Sequence, residues 1–284
     1  MISKYEVLAP AGTLDDLKKM LMEQPDAIYV GLVGFSSRPE FADMTMEEIE
    51  QAVKLCHEAN VRLYVAINAN VVNSHVDSII DSILLMDQWK VDAVILSEMG
   101  IVCELKGKLN HMAIHASTLM GVYNIDTVKL LKSMGVTRII FYTNMYFDEI
   151  ALITQAFPEL EYELVAEGGT CFNDIRRCNL PHVYEDDVHK LFCRFKYLIE
   201  KNSGTSEVSM LAKEISEYST RTAEIVGIYM AIGIMSFKIE GRTLPAQERI
   251  PMVRDLKKYI AMYEQNDTLK SYLHYFFRRN REMR

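Results

Sequence analysis

Val61-Arg62-Leu63-Tyr64-Val65-Ala66-Ile67-Asn68, the amphipathic stretch from Val76 to Trp89, and then Val91 to Ser97 form the segment on which the fold turns. Short, almost unbroken apolar runs suit strands buried on both faces, as in parallel sheets, and the longer periodic stretch between them suits a helix. Strand, helix and strand in that order make one parallel unit, and the alternation continues in both directions. Upstream, Glu6 to Gly12 is a strand closed by a turn, with Thr13 capping a helix through about Met22. Asp26 to Leu32 is the second strand, and Thr45-Met46-Glu47-Glu48 is a capping box that opens a helix to Glu58. Downstream come a short helix near Gly100 to Lys106, a strand from Ala113 to Ser117 and a helix from Asp126 to Met134. Val136 to Tyr142, a helix near Asp148 to Phe157 and Tyr162 to Ala166 follow. A polar, Cys-bearing insertion from Gly168 to Gly204 is too long for a plain connection. A helix from about Glu207 to Ala231, a strand from Ile234 to Glu240 and a helix from Ala246 to Tyr263 complete the series. Eight strand–helix units predict a closed (β/α)8 barrel, with a doubly wound open sheet as the alternative. The barrel is expected to span 1–265, insertion included, with a helical tail over 266–284.

Composition agrees with a packed enzyme-sized domain. The chain has 284 residues, 49% hydrophobic and 25% charged, enough for one core. Its formal charge of −8 disfavours purely electrostatic binding to a polyphosphate and argues against DNA as a partner. No signal-like leader or membrane-length apolar run is present, so a cytoplasmic location is expected. Five unevenly spaced cysteines point to reduced thiols or metal ligands before disulfides. Cys56 and Cys103 are expected to be small buried hydrophobes.

In a barrel of this kind the site lies at the carboxyl ends of the strands. Those ends are polar: Asn68 and Asn70, Glu98, His115 with Ser117, Asn144, Glu167, and Lys238 with Glu240. A period of two turns Phe237 and Ile239 toward the helices, and Ser236, Lys238 and Glu240 into the lumen. Lys238 and Glu240 must therefore neutralise each other, bind a ligand, or reach water at the mouth. His115 can serve as an acid, a base or a donor to an anionic substrate, or can be an ordinary paired core histidine.

The runs Leu8-Ala9-Pro10-Ala11-Gly12, Ile28-Tyr29-Val30-Gly31 leading to Phe35-Ser36-Ser37-Arg38, His115-Ala116-Ser117-Thr118 and Phe237-Lys238-Ile239-Glu240-Gly241-Arg242, in that order, resemble peptidase family U32. The resemblance spans nearly the whole chain. It implies an α/β barrel acting as a collagenase-like peptidase or as an O2-independent hydroxylase of RNA or of a small aromatic ring. It also implies a [4Fe–4S] cluster on four Cys. Cys171, Cys178 and Cys193, with six and then fourteen residues between them, resemble three of those ligands, while Arg221 stands where the fourth is expected. Three thiolates can hold a cluster with one iron open or with His182 or His189 as a further ligand, a zinc site is chemically possible too, and so are plain thiols. The family's Gln after the strand-five motif is Leu119 here, and its His-Gly at the end of strand seven is Glu167-Gly168.

Within that resemblance His115, Glu167, Lys238 and Glu240 are the candidate catalytic residues, and Arg38, Asn68, Ser117 and Arg242 the candidate substrate-binding ones. No Gly-x-Ser-x-Gly elbow or His-Glu-x-x-His helix marks a hydrolase. The C-terminal stretch from Tyr272 to Arg284 mixes aromatics with arginines, and reads as a terminal helix or an RNA contact. Three readings follow: an Fe–S barrel hydroxylase acting on RNA or a small molecule, a peptidase without a cluster, and a non-catalytic partner subunit of a second U32-like protein.

Overall fold

The computed structural model describes residues 4–38, 40–141, 145–167, 182–185, 188–191, 197–201, 204–208 and 225–282. Eight parallel strands close into a barrel: β1 (Glu6–Pro10), β2 (Ala27–Gly31), β3 (Arg62–Ile67), β4 (Ala93–Leu96), β5 (Ala113–Ala116), β6 (Val136–Phe141), β7 (Glu161–Glu167) and β12 (Ser236–Ile239). Their order is β1-β12-β7-β6-β5-β4-β3-β2. Closure leaves no unpaired edge, and it is the pairing of β1 with β12, Leu8 beside Lys238, that completes the ring. The open-sheet alternative is thereby excluded.

The helices wrap the outside: α1 (Leu14–Leu21), α2 (Met46–Glu58), α3 (Val76–Gln88), α4 (Met99–Leu105), α5 (Ile125–Ser133), α6 (Phe147–Ala156), α7 (Val226–Ala231) and α8 (Ala246–Glu264). Local chemistry sets their starts. The Thr13 hydroxyl accepts from the Asp16 amide, and Thr45 with Glu48 makes the reciprocal capping box. Each helix buries an apolar stripe, such as Ile49, Val53 and Cys56 of α2 or Ile79, Ile83 and Met86 of α3, against outward-facing strand residues such as Leu63, Val65 and Phe237. Burial pushes the Cys56 thiol up to about 12 and keeps it protonated. Cys103 departs from expectation: it sits on the outer face of α4 and is exposed.

Between β7 and α7 lie two antiparallel hairpins, β8 (His182–Glu185) with β9 (Val188–Leu191), and β10 (Tyr197–Lys201) with β11 (Gly204–Val208). The expected long helix from Glu207 is corrected here. Glu207 and Val208 pair with Leu198 and Tyr197 as strand residues, Val226–Ala231 is helical as expected, and 209–224 of the expected helix lie outside the described residues. Tyr197, Ile199, Thr205 and Val208 are residue types that favour strand pairing over a helix. α9 (Asp267–Glu282) follows α8 and packs on α7 and α8.

Candidate functional site at the barrel mouth

The lumen is filled from bottom to top by two kinds of side chain. Leu8, Tyr29, Tyr64, Ala66, Ile95 and Ile140 form an apolar cluster inside the strands. Through it runs a column of charge. At the floor, Arg138 of β6 donates to Glu6 (2.6 Å) and Glu163 (3.0 Å), and the Tyr64 hydroxyl and Ser236 Oγ donate to the same Glu6 carboxylate. Burial alone would raise the Glu6 pKa, but Arg138 and Arg62 bring it below the ordinary carboxylate value. The same carboxylates drive the Arg138 pKa further up.

Above the floor, the Lys238 ammonium lies 3.4 Å from Glu163 Oε1 and 4.1 Å from the centroid of the Tyr29 ring. Burial lowers its pKa, against the opposing pull of Glu163 and Glu240. Glu240 turns instead to Arg38 at 3.3 Å, with both side chains about 30% exposed (31% and 28%). Lys238 and Glu240 thus satisfy their charges separately, each through a partner from another element. The Arg38–Glu240 pair is the part of the column that a ligand in water can open.

Arg242 is placed otherwise than a freely offered substrate-binding arginine. It is 6% exposed, donating to Asp43 and to Ser36 Oγ, both at 2.6 Å. A Cβ on Gly31 would overlap both partners of that pair, which is why this strand end is glycine. Burial raises Asp43 to about 6 even with Arg242 beside it. Asn68 Oδ1 accepts from the Ser37 amide at 2.9 Å, and so braces the loop that carries Arg38. Ser117 caps a short 3-10 turn by accepting from the Leu119 amide. Both are positioning groups in this arrangement.

His115 lies deeper, 3% exposed, edge-on to Tyr64 at 4.9 Å. Its Nδ1 is buried with no hydrogen-bond partner among the described residues. Burial first, then the Arg138, Lys238 and Arg62 cations, hold its pKa well below 6.5, so it is neutral at pH 7. The strand register shifts at Ile114/His115 between β5 and β6, and at Lys238/Ile239 between β12 and β7. Such irregularities re-aim side chains and are frequent beside active sites. Glu167 ends β7 at the mouth, half-buried.

Glu163, Arg138, Glu6, Tyr29 and Asp43 were missed by sequence reasoning. The signal was available for three of them, since alternation along β6 and β7 turns Arg138 and Glu163 inward as it does Lys238, and Glu6 opposes Ser236. Cys171, Cys178 and Cys193, with Asn144 and Arg221, lie outside the described residues. Among the described residues no three His, Cys, Asp or Glu side chains converge as metal ligands, and no helix is long and apolar enough to cross a membrane.

Residues 12–282 match the family model of peptidase family U32. The chain belongs to that family. The U32 chain is 28% identical over 217 residues to the tRNA hydroxylation protein P of Haemophilus influenzae, covering 75% of this chain and 47% of that one. It is 26% identical to the 23S rRNA 5-hydroxycytidine C2501 synthase of Escherichia coli, covering 84% of this chain and 36% of the relative. Among solved structures, the U32 peptidase Mk0906 aligns with a TM-score of 0.50 at 15% identity, covering 60% of this chain and 72% of that one. This U32 chain therefore spans about half, or less, of the length of these two curated relatives.

Proposed function

We propose that this chain is an RNA hydroxylation enzyme acting at the barrel mouth, with an iron–sulfur cluster that Cys171, Cys178 and Cys193 of the insertion after β7 would hold. The observation that supports this reading most is the likeness to two RNA-hydroxylation proteins over three quarters or more of the chain (75% and 84%). The donor set fits the cofactor: Cys171, Cys178 and Cys193 offer three thiolates, the number that binds a [4Fe–4S] cluster with one iron left for another ligand. A cluster held there would pass electrons singly; because turning C–H into C–OH withdraws two electrons from the RNA and adds an oxygen atom, an oxygen-donating co-substrate would have to take up those electrons in place of O2.

The chain's own residues have separate tasks. Lys238 keeps a fixed cation under the mouth, held by Glu163 and the face of Tyr29. Arg38 is the cation that can leave Glu240 to grip an anionic group, and Glu240 then becomes an acceptor facing the substrate. Neutral His115 can donate one hydrogen bond or accept one without adding charge. Arg242, Asp43 and Ser36 fix the loop from which Arg38 extends.

The test has two arms. Anaerobically purified protein should be brown and carry iron near the cluster stoichiometry, and Cys171→Ser, Cys178→Ser and Cys193→Ser should each bleach it. Cellular RNA should lose a hydroxylated nucleoside when the gene is removed, and regain it with the wild-type chain but not with Lys238→Met. Colourless, iron-free protein refutes the cofactor; an unchanged nucleoside profile refutes the reaction. Cleavage of gelatin that Glu240→Gln abolishes would support the peptidase reading in its place.

A further inference from the structure

Two charged groups in the lumen hold chemistry that gripping a ligand does not use. Glu163 is wholly buried, and its Oε2 is held by Arg138 at 3.0 Å and by the Ser236 hydroxyl at 3.3 Å. Its Oε1 is buried with no hydrogen-bond partner among the described residues. The Lys238 Nζ stands 3.4 Å from that oxygen, looser than a made hydrogen bond, and the Lys238 side chain keeps 11% exposure while that of Glu163 has 0%. Lys238 is thus the member of the pair that a molecule entering the mouth can reach. With so little of it exposed, that molecule must be small.

The lysine is also held in place. The Tyr29 ring centroid lies 4.1 Å from Nζ, and the Tyr29 hydroxyl donates to the Ile239 carbonyl at 3.1 Å, pinning β12 just past Lys238. The register of β12 against β7 shifts at this same step. Burial, the largest influence, and the Arg242 cation lower the Lys238 pKa against the pull of Glu163 and Glu240. A desolvated lysine beside a base whose other oxygen is anchored is the arrangement that makes an amine a nucleophile, and buried lysines of this kind add to carbonyl groups.

We propose that Lys238, with Glu163 as its base, condenses with a small aldehyde or ketone to form an imine at the barrel mouth. The Lys238 ammonium passes a proton to Glu163 Oε1, and the Nζ lone pair adds to the carbonyl carbon as the C=O π pair moves to oxygen. A second Nζ proton moves to that oxygen, giving a carbinolamine. Glu163 then gives its proton to the hydroxyl, which leaves as water while the N–C bond becomes C=N. The product iminium carries the charge that the ammonium had, beside the same carboxylate, so the column stays balanced and no oxidant or reductant is consumed. Neither RNA nor iron takes part, and the activity stands apart from the hydroxylation reading.

Incubation of the full chain with butanone and cyanoborohydride, which reduces an imine to a stable secondary amine, followed by peptide mass mapping, tests this. Lys238 should be alkylated before any other lysine, and Lys238→Arg, which keeps a cation there, should lose that label. Glu163→Gln should slow labelling of Lys238 by roughly a hundredfold, the contribution of a positioned acid–base group. The direction of the change identifies the role of the carboxylate. A mere ion-pair partner restrains the amine, so removing its charge would speed labelling. Faster or unchanged labelling of folded Glu163→Gln therefore overturns the proposal. So does wild-type label confined to surface lysines, an outcome that stays decisive if Glu163→Gln fails to fold and that leaves the RNA reading intact.

Discussion

Arg138→Met is the sharpest test of the charge column. Arg138 is 2% exposed and directs its guanidinium at three carboxylates. The bonds to Glu161 contribute little, because that side chain is 52% exposed and screened. Those to Glu6 and Glu163, whose side chains are 5% and 0% exposed, decide the outcome. After substitution Glu6 keeps Arg62, Tyr64 and Ser236, whereas Glu163 keeps Lys238 at 3.4 Å and Ser236 at 3.3 Å. Two buried carboxylates short of one strong partner should cost ~3–5 kcal/mol. For a domain of this size that is a fall of roughly 6–15 °C in Tm. Urea unfolding of Arg138→Met, Glu163→Gln and the double variant should give a coupling energy of ~1–3 kcal/mol, since Glu163→Gln removes the charge that Arg138 had balanced. A loss under about 1 kcal/mol for Arg138→Met, or strictly additive variants, would show that the lumen solvates its charges by other means.

Two further outcomes follow from the site. Gly31→Ala should prise Asp43 from Arg242, lowering Tm by several degrees and weakening any ligand held by Arg38; a variant of wild-type stability would refute the tight packing there. His115 has a depressed folded pKa, so it favours the native state above about 6.5 and withdraws that support as pH falls through 6.5, by ~1.4 kcal/mol at one pH unit below if the folded ring stays neutral. Asp43, raised to about 6, acts in the opposite sense, stabilising toward acid; comparing wild type with His115→Asn by urea midpoint at pH 7.5 and 5.5 cancels it, and equal pH slopes in the two proteins would refute a neutral His115.

The barrel rests on described strands that close on themselves. The proposed cluster rests on three cysteines of the insertion, which lie outside the described residues. At the mouth, the strand-end rule led to His115, Lys238 and Glu240, and the structure brings Lys238 and Glu240 into one column with Arg38, while Asn68, Ser117 and Arg242 act behind them as braces. The start of the helix expected from Glu207 was wrong for a physical reason, since Glu207 and Val208 are strand residues. A segment's β-partner decides whether it coils, and Leu198 and Tyr197 were available to pair.

What the chain by itself determined is everything with a short period. Apolar runs alternating with amphipathic stretches set the eight units, Thr45 with Glu48 set the start of α2, and the two-residue alternation of Ser236 to Glu240 set which side chains enter the lumen. Only closure of the barrel decided who neutralises whom. Arg38 meets Glu240 across 202 residues of sequence, and Arg242 meets Asp43 across 199. Local periodicity fixes the direction of a side chain, but a buried charge takes whichever partner the finished ring brings within reach, and that distance is a property of the whole barrel.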